Sequence, residues 1–212
     1  MLILKILKVK LESGKRVVNN YKLQFESEIV MKYIALLRGI NISGKNKIAM
    51  SELKKEFTNM GYKEVITYLN SGNVVFESDI KDKNAIKNNI QLMIKDKFKF
   101  DIPIQVITSQ ELEELIIHSP DWWGKGNKEI YDNIIFIIPP TTYNEVFDTI
   151  GSPNEYEKIQ EYKNNIFWSF DLKNYRKANW WSKTASTNIS DKITIRTANT
   201  MKKKKVKLLH IG

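Results

Sequence analysis

The stretch Val65-Ile66-Thr67-Tyr68-Leu69-Asn70-Ser71-Gly72-Asn73-Val74-Val75-Phe76 places two apolar, β-branched runs on either side of four small or polar residues. Asn70 to Asn73 carry turn chemistry, so the stretch is expected to form a tight β-hairpin. What flanks this hairpin decides the fold. Upstream, Met50, Leu53, Phe57 and Met60 share one helical face, which Gly61 stops. Before that helix, Lys32 to Arg38 is a nearly continuous apolar run of strand length, followed by a loop rich in Gly and Asn. Downstream, Ile86, Ile90, Met93, Ile94 and Phe98 predict an amphipathic helix from near Asp82, and Pro103 to Ile107 reads as a strand. The order is βαββαβ.

The same order then starts again. A helix after Thr108, where Thr108 and Glu111 match a capping box, breaks at Pro120 and serves as connector. Asn133 to Ile138 reads as a buried strand, and Thr142 with Glu145 caps a helix carrying Tyr143, Val146, Phe147 and Ile150. Glu155 to Tyr162 and Ile166 to Phe170 bracket Lys163, Asn164 and Asn165 as a second hairpin. A helix from about Trp181 to Ser190, a strand from Lys192 to Arg196 and a last helix from Asn199 to Leu209 complete the chain. The expected fold class is α+β, a tandem duplication of a ferredoxin-like βαββαβ unit with a helical connector and a C-terminal helix. Its divisions are an extension over 1–30, a first unit over 31–108, and a connector helix plus second unit over 109–212. No Pro-, Gly- or Ser-rich spacer separates the halves, so they are expected to pack on each other. The extension lacks the clear periods that begin at Met31. It reads as a misassigned upstream start, a leader, or an added strand or hairpin.

With 212 residues the chain can bury a core without covalent staples, and the absence of Cys removes disulfides, thiolate metal sites and Cys nucleophiles. Lys5, Lys8 and Lys10 interrupt the apolar start before it reaches signal-peptide or membrane-span length. A cytoplasmic protein with no membrane partner is expected. The formal charge of +10 raises the prior for an anionic partner, either a phosphorylated small molecule or nucleic acid. Much of the excess lies in the first thirty residues and in the tail Lys202 to Lys205 with Lys207. On a terminal helix, such a tail is more often a solvated face than a binding element.

The most pointed motif is Gly39-Ile40-Asn41-Ile42-Ser43-Gly44-Lys45-Asn46, which has the Gly spacing and Lys of a phosphate-binding loop directly after a strand. Asn46 stands where magnesium needs a Ser or Thr hydroxyl, and Ile48 and Ala49 delay the helix past Lys45. Nucleotide hydrolysis is therefore disfavoured. Two readings remain: a solvated loop that uses Gly39 and Gly44 for positive φ, or a set of donors (Arg38, Asn41, Lys45, Asn46) for an anion without catalysis.

From Asn174 to Thr184, cations alternate with flat rings, the chemistry by which proteins stack bases and hold phosphates. The competing reading, preferred here, is that Trp180 and Trp181 anchor a helix against the sheet. Trp122 and Trp123 raise the same choice. An RNA-binding sheet of this topology would need more rings than the single Phe76 of Ser71 to Phe76. His118 and His210 have no convincing nucleophile or metal partner, and no zinc spacing or nucleophile elbow is present.

Taken together, Ile34 to Asn41, Gly44-Lys45-Asn46, Tyr68 with Ser71 to Phe76, Ser182-Lys183 and Thr194-Ile195-Arg196 resemble the bacterial domain-of-unknown-function family numbered 1697. The resemblance covers about Met31 to Leu209. It implies an intracellular protein of duplicated ferredoxin-like architecture and no established activity. The family's late Thr-Thr-Arg-Asn-Trp-Asn-Thr carries over to Thr194, Arg196, Asn199 and Thr200, whereas Thr197 and Ala198 replace its Asn and Trp. The resemblance groups Arg38, Asn41, Lys45, Asn46, Ser71, Asn73, Lys183, Arg196 and Asn199 as polar groups at strand ends and helix starts. With Gly44, these are the candidate ligand-binding residues, expected to converge on one anion-accepting surface. The leading expectation is a binding protein. A small enzyme acting on a phosphate-bearing metabolite, with Arg38, Lys45 and Arg196 stabilising charge, is the alternative; loops that merely brace the halves are the third. No cofactor, catalytic residue or oligomeric state is read from the sequence.

Overall fold

The computed structural model describes residues 30–42, 44–70 and 72–202. Expectations for the extension over 1–30 and for the tail beyond Lys202 lie outside the described residues. The first half runs β1 (Met31–Leu37), α1 (Met50–Asn59), β2 (Lys63–Tyr68), β3 (Asn73–Ser78), α2 (Lys83–Phe98) and β4 (Ile104–Thr108). The connector is α3 (Ser109–Ile117), and the second half runs β5 (Ile130–Ile137), α4 (Tyr143–Ile150), β6 (Glu157–Tyr162), β7 (Asn165–Asp171), α5 (Asn179–Ser186) and β8 (Ile193–Thr197). Residues 198–202 are helical. Each half forms a four-stranded sheet, ordered β2-β3-β1-β4 and β6-β7-β5-β8. Every neighbouring pair is antiparallel.

The apolar run of β1 follows from its place in the middle of a sheet covered on both faces. Tyr33, Ala35 and Leu37 enter a cluster beneath the helices, with Leu53 and Phe57 of α1 and Ile86, Ile90 and Ile94 of α2. Ile34 and Leu36 point the other way, into a cluster shared with Ile134 and Phe136 of β5 and Phe167 of β7. Strand alternation sends Ile135 and Ile137 back out to α4 and α5, where they meet Val146, Ile150 and Trp180. The two sheets therefore pack face to face, each with its helices on the outside. The connector α3 is set by a complete capping box between Thr108 and Glu111 and adds Leu112 and Leu115 to the shared core. Trp123 fills the same core and donates its indole N–H to the Asn133 carbonyl at 2.7 Å.

Several boundaries differ from the sequence reading, three of them with a physical cause. β5 begins at Ile130, because residues 130–132 pair with Ser169 to Asp171 although only the later part is buried on both faces. The second hairpin has a two-residue turn, Lys163 and Asn164, both at positive φ, and Asn165 already pairs with Tyr162. The helix expected at 181–190 is α5, which starts two residues earlier and ends at Ser186, where Thr187 turns extended. Its start is fixed from a distance. The buried Glu157 carboxylate on β6 accepts the Trp180 backbone N–H at 3.1 Å and the Trp168 indole N–H at 3.1 Å.

Candidate anion site at the junction of the halves

β1 and β8 end beside each other, one from each half, and each sends an arginine across. Arg196 on β8 donates from Nε to Asn73 Oδ1 at 2.8 Å and from Nη2 to the Leu37 carbonyl at 2.7 Å. Its Nη1 turns back to Thr194 Oγ1 and the Ile195 carbonyl, each at 2.8 Å. In return, Arg38 donates from Nη1 to the Ile193 carbonyl at 2.6 Å. Arg196 is buried, and desolvation, reinforced by the Arg38 charge, lowers its pKa to about 10. Arg38 is half-buried; burial lowers its pKa and the Asp191 carboxylate partly offsets this. β1 is a central strand of its sheet and β8 the edge strand of the other, and the end of β1 lies against β8.

The loop that follows Arg38 is held by its own asparagines. Asn41 Nδ2 donates to the Ile48 carbonyl at 2.9 Å and to the Asn70 carbonyl at 3.1 Å, while Asn41 Oδ1 accepts the Ile48 N–H at 2.9 Å. Asn46 Nδ2 donates to the Gly39 carbonyl at 3.1 Å. Gly39, Asn41, Gly44 and Asn46 all take positive φ. The short polar side chains of Asn tolerate this region by bonding locally, so two of the four positions need no glycine. Lys45 and Lys47 remain exposed at the rim. Helix α1 begins only at Met50, and its N-cap Ala49 offers no side-chain cap. The N–H groups of a helix terminus are therefore not aimed into the loop, as the delayed start in sequence implied. Gly72 in the hairpin turn is tight against the junction: a Cβ there would lie 2.7 Å from the Leu37 carbonyl oxygen.

Arg196 on β8 thus meets Asn73 at the hairpin turn and Leu37 at the end of β1, Arg38 meets Ile193, and Asn41 and Asn46 brace the loop that carries Gly44 and Lys45. Ser71 lies outside the described residues. Lys183 belongs to another neighbourhood. Its ammonium donates to the Ile150 carbonyl at 2.6 Å, closing the C-terminal end of α4 on the outer side of the second sheet, whereas Arg196 points to the inner side. Asn199 is exposed on the closing helical segment.

Sequence reasoning missed a second polar cluster. A cavity of about 190 Å³ opens between the halves, lined among others by Gln105, Glu111, Glu114, Phe136, Tyr162 and Lys163. Glu114 accepts from Lys163 at 2.5 Å and from the Tyr162 hydroxyl at 3.1 Å, and these bonds hold its carboxyl below the usual range. The His118 ring stacks on Tyr162 at 4.5 Å. Glu111 pairs with Lys83, so the cavity's charges are matched two by two. Residues so far apart in the chain leave no local signal of their meeting. Among the described residues, no group of three or more His, Asp or Glu is placed to hold a metal ion, and no helix is long and apolar enough to cross a membrane.

Fold and junction define a class: an α+β protein of two face-to-face antiparallel sheets, built from a repeated order of elements and pinned by reciprocal arginines. The family model described as Protein of unknown function (DUF1697) matches residues 30–167, and the chain belongs to that family. It is also similar to a solved structure, that of the conserved bacterial protein SP0830 from Streptococcus pneumoniae. The likeness has a TM-score of 0.74 and 29% sequence identity, over 84% of this chain and 99% of that one. No curated protein matches this chain.

Proposed function

We propose that this chain is a binding protein for an oxyanion-bearing ligand, a phosphorylated small molecule in first place, received at the junction of its halves. Arg38 is the group that meets the anion, and Lys45 and Lys47 supply charge at the rim. One observation carries this reading. Arg38 is half-buried beside a second, buried cation, yet it donates only Nη1 to a protein acceptor among the described residues. A planar guanidinium with unspent parallel donors suits a phosphate or carboxylate. Asn41, Asn46, Asn73 and Arg196 then act by positioning the loop and turn around it, and no residue is assigned a proton-transfer role.

The architectural side of the proposal is that 31–108 and 109–212 are two ferredoxin-like units of a cytoplasmic protein. The 4-1-3-2 strand order, repeated in both halves, supports the first part. The Cys-free composition is compatible with the second.

Calorimetric titration with inorganic pyrophosphate tests the site. The expected result is saturable binding that Arg38→Ala abolishes and that Lys45→Ala with Lys47→Ala weakens, with a shallower salt dependence. Bracing alone is favoured by the many bonds Arg196 makes within the chain. It would instead give a lowered melting temperature for Arg38→Ala and no heat of binding in either protein.

A further inference from the structure

Two aromatic residues are exposed among the described residues, Tyr131 and Trp181, each at 41%. They flank the same ring: Phe170 lies 5.4 Å from Tyr131 and 5.3 Å from Trp181, centroid to centroid. Tyr131 and Phe170 are cross-strand partners on β5 and β7. Tyr175 extends the row, edge-on to Trp181 at 5.0 Å, and Arg176 stacks over Tyr175 at 5.6 Å while donating from Nε to its hydroxyl at 3.0 Å. Leu172, just after β7, is exposed, and Lys177 covers the Tyr156 ring at 5.1 Å. Residues 172–187 include Lys173, Arg176, Lys177 and Lys183 and no acidic residue. Two carboxylates stand at the margin. Glu129 pairs with Lys173 at 3.2 Å, and Asp171 accepts from Asn174 and from the Lys173 backbone N–H.

Packing explains only part of this arrangement. Trp180 is fully buried, with its indole N–H on the Gly151 carbonyl at 3.0 Å, so it does the anchoring expected of the tryptophan pair. Its neighbour Trp181 is 41% exposed, shares Phe170 with the exposed Tyr131, and sits in a segment whose charged residues are all cations. A row of flat rings bordered by Lys and Arg, with no deep groove and no donors fixed for one base, matches unpaired nucleobases joined by phosphates. The row lies at the Tyr131 end of β5, whereas Arg38 meets β8 where Ile193 pairs with Ile137. Six residues of extended strand put these ends roughly 20 Å apart.

We infer that the Tyr131–Phe170–Trp181–Tyr175 row, with Lys173, Arg176 and Lys177, is a binding surface for single-stranded nucleic acid, separate from the anion site at Arg38. Bases stack on Trp181 and Tyr131, and the cations follow the backbone.

The test is fluorescence anisotropy of the full chain with a labelled single strand of thymidylates, about twelve nucleotides long, and with a duplex of equal length. The surface predicts binding to the single strand in preference to the duplex. Trp181→Ala weakens it by about tenfold or more, Trp181→Phe retains most of it, and the pair Arg176→Gln with Lys177→Gln reduces the salt slope by roughly one. That pair is exposed, so it reports on the surface even if Trp181→Ala disturbs α5. Arg38→Ala leaves the affinity unchanged. Absence of binding at low salt, equal affinity for duplex, or an affinity that ignores both Trp181→Ala and the cation pair overturns the inference. Loss confined to Arg38→Ala also overturns it while leaving the junction site standing. Concentration-dependent self-association removed by Trp181→Ala, without oligonucleotide binding, assigns the rings to a second copy and overturns it too.

Discussion

Helices α2 and α5 hold the same place in the order of elements, between the third and fourth strand of their half, but α2 has 16 residues and α5 has 8. The longer helix covers its sheet with a ladder of aliphatics, Ile86, Ile90, Met93 and Ile94, and the rings of the core it shares with α1, Tyr33, Phe57, Tyr62 and Phe76, are all buried. The shorter helix holds on through Trp180 and Thr184, and the rings at its end reach the surface through Trp181 and Tyr131. One scaffold thus yields a closed outer face in one half and an open aromatic end in the other. Shortening one covering helix, with no change in strand order, is a low-cost way to open a surface for binding while the inter-sheet core stays intact.

The largest effect expected from this contrast concerns how each helix is anchored. Trp180→Ala removes the main apolar contact of α5 along with its bond to Gly151, and should cost about 3–5 kcal/mol in urea unfolding. Ile90→Ala, on a helix with several equivalent anchors, should cost about 2–4 kcal/mol. Equal losses, or a larger loss at Ile90, would break the comparison.

A smaller effect of opposite sign is expected in the closed half. Among the described residues, the Tyr62 hydroxyl is buried without a hydrogen-bond partner, and desolvation raises its pKa. Tyr62→Phe relieves that penalty and should add about 1 kcal/mol of stability, read from the denaturant midpoint at constant slope. A loss of stability would mean that the hydroxyl is satisfied in solution.

The smallest effect is a pH dependence. Glu114 on the connector, and Glu145 and Asp171 in the second half, are held below their ordinary range by hydrogen bonds: from Lys163 for Glu114, from the Thr142 backbone for Glu145 and from Asn174 for Asp171. A carboxyl with a lowered folded pKa contributes stability above its unfolded value and loses it as pH falls through the folded value. Between about pH 4 and the onset of global unfolding, amide exchange should therefore quicken around Glu114 in the later part of α3, at the start of α4 and around Asp171 at the end of β7 before it does along α2. Uniform quickening would remove that difference between the halves.

How much of this was legible in the sequence depends on how local the cause is. Both capping boxes, at Thr108 with Glu111 and at Thr142 with Glu145, are written within four residues and stand as expected. The start of α5 was misplaced because its cap is Glu157, more than twenty residues away on β6. Among the candidate residues, Arg196 reaches Asn73 at the start of β3 and the Leu37 carbonyl at the end of β1, and Arg38 reaches the start of β8 at Ile193. Lys183 shares their residue chemistry but lies on the outer helix layer, a difference that strand alternation and helix face decide, not residue type. The expected packing of the tryptophan pair holds for Trp180, which is fully buried, while Trp181 packs edge-on against Phe170 of β7 and leaves part of its ring exposed, since neighbouring helical positions face different directions. The Glu114, Tyr162 and Lys163 cluster had no sequence signal, because its members come together only when the two halves close.

The account turns on a guanidinium that reaches the junction with donors to spare. Guanidinium proton–nitrogen NMR on the intact chain, titrated with pyrophosphate, observes that group directly. A saturable displacement of the Arg38 Nε–Hε signal, with the Arg196 signal present throughout and protected from exchange, is the predicted result. An Arg38 signal that stays in place while only lysine resonances move would contradict it.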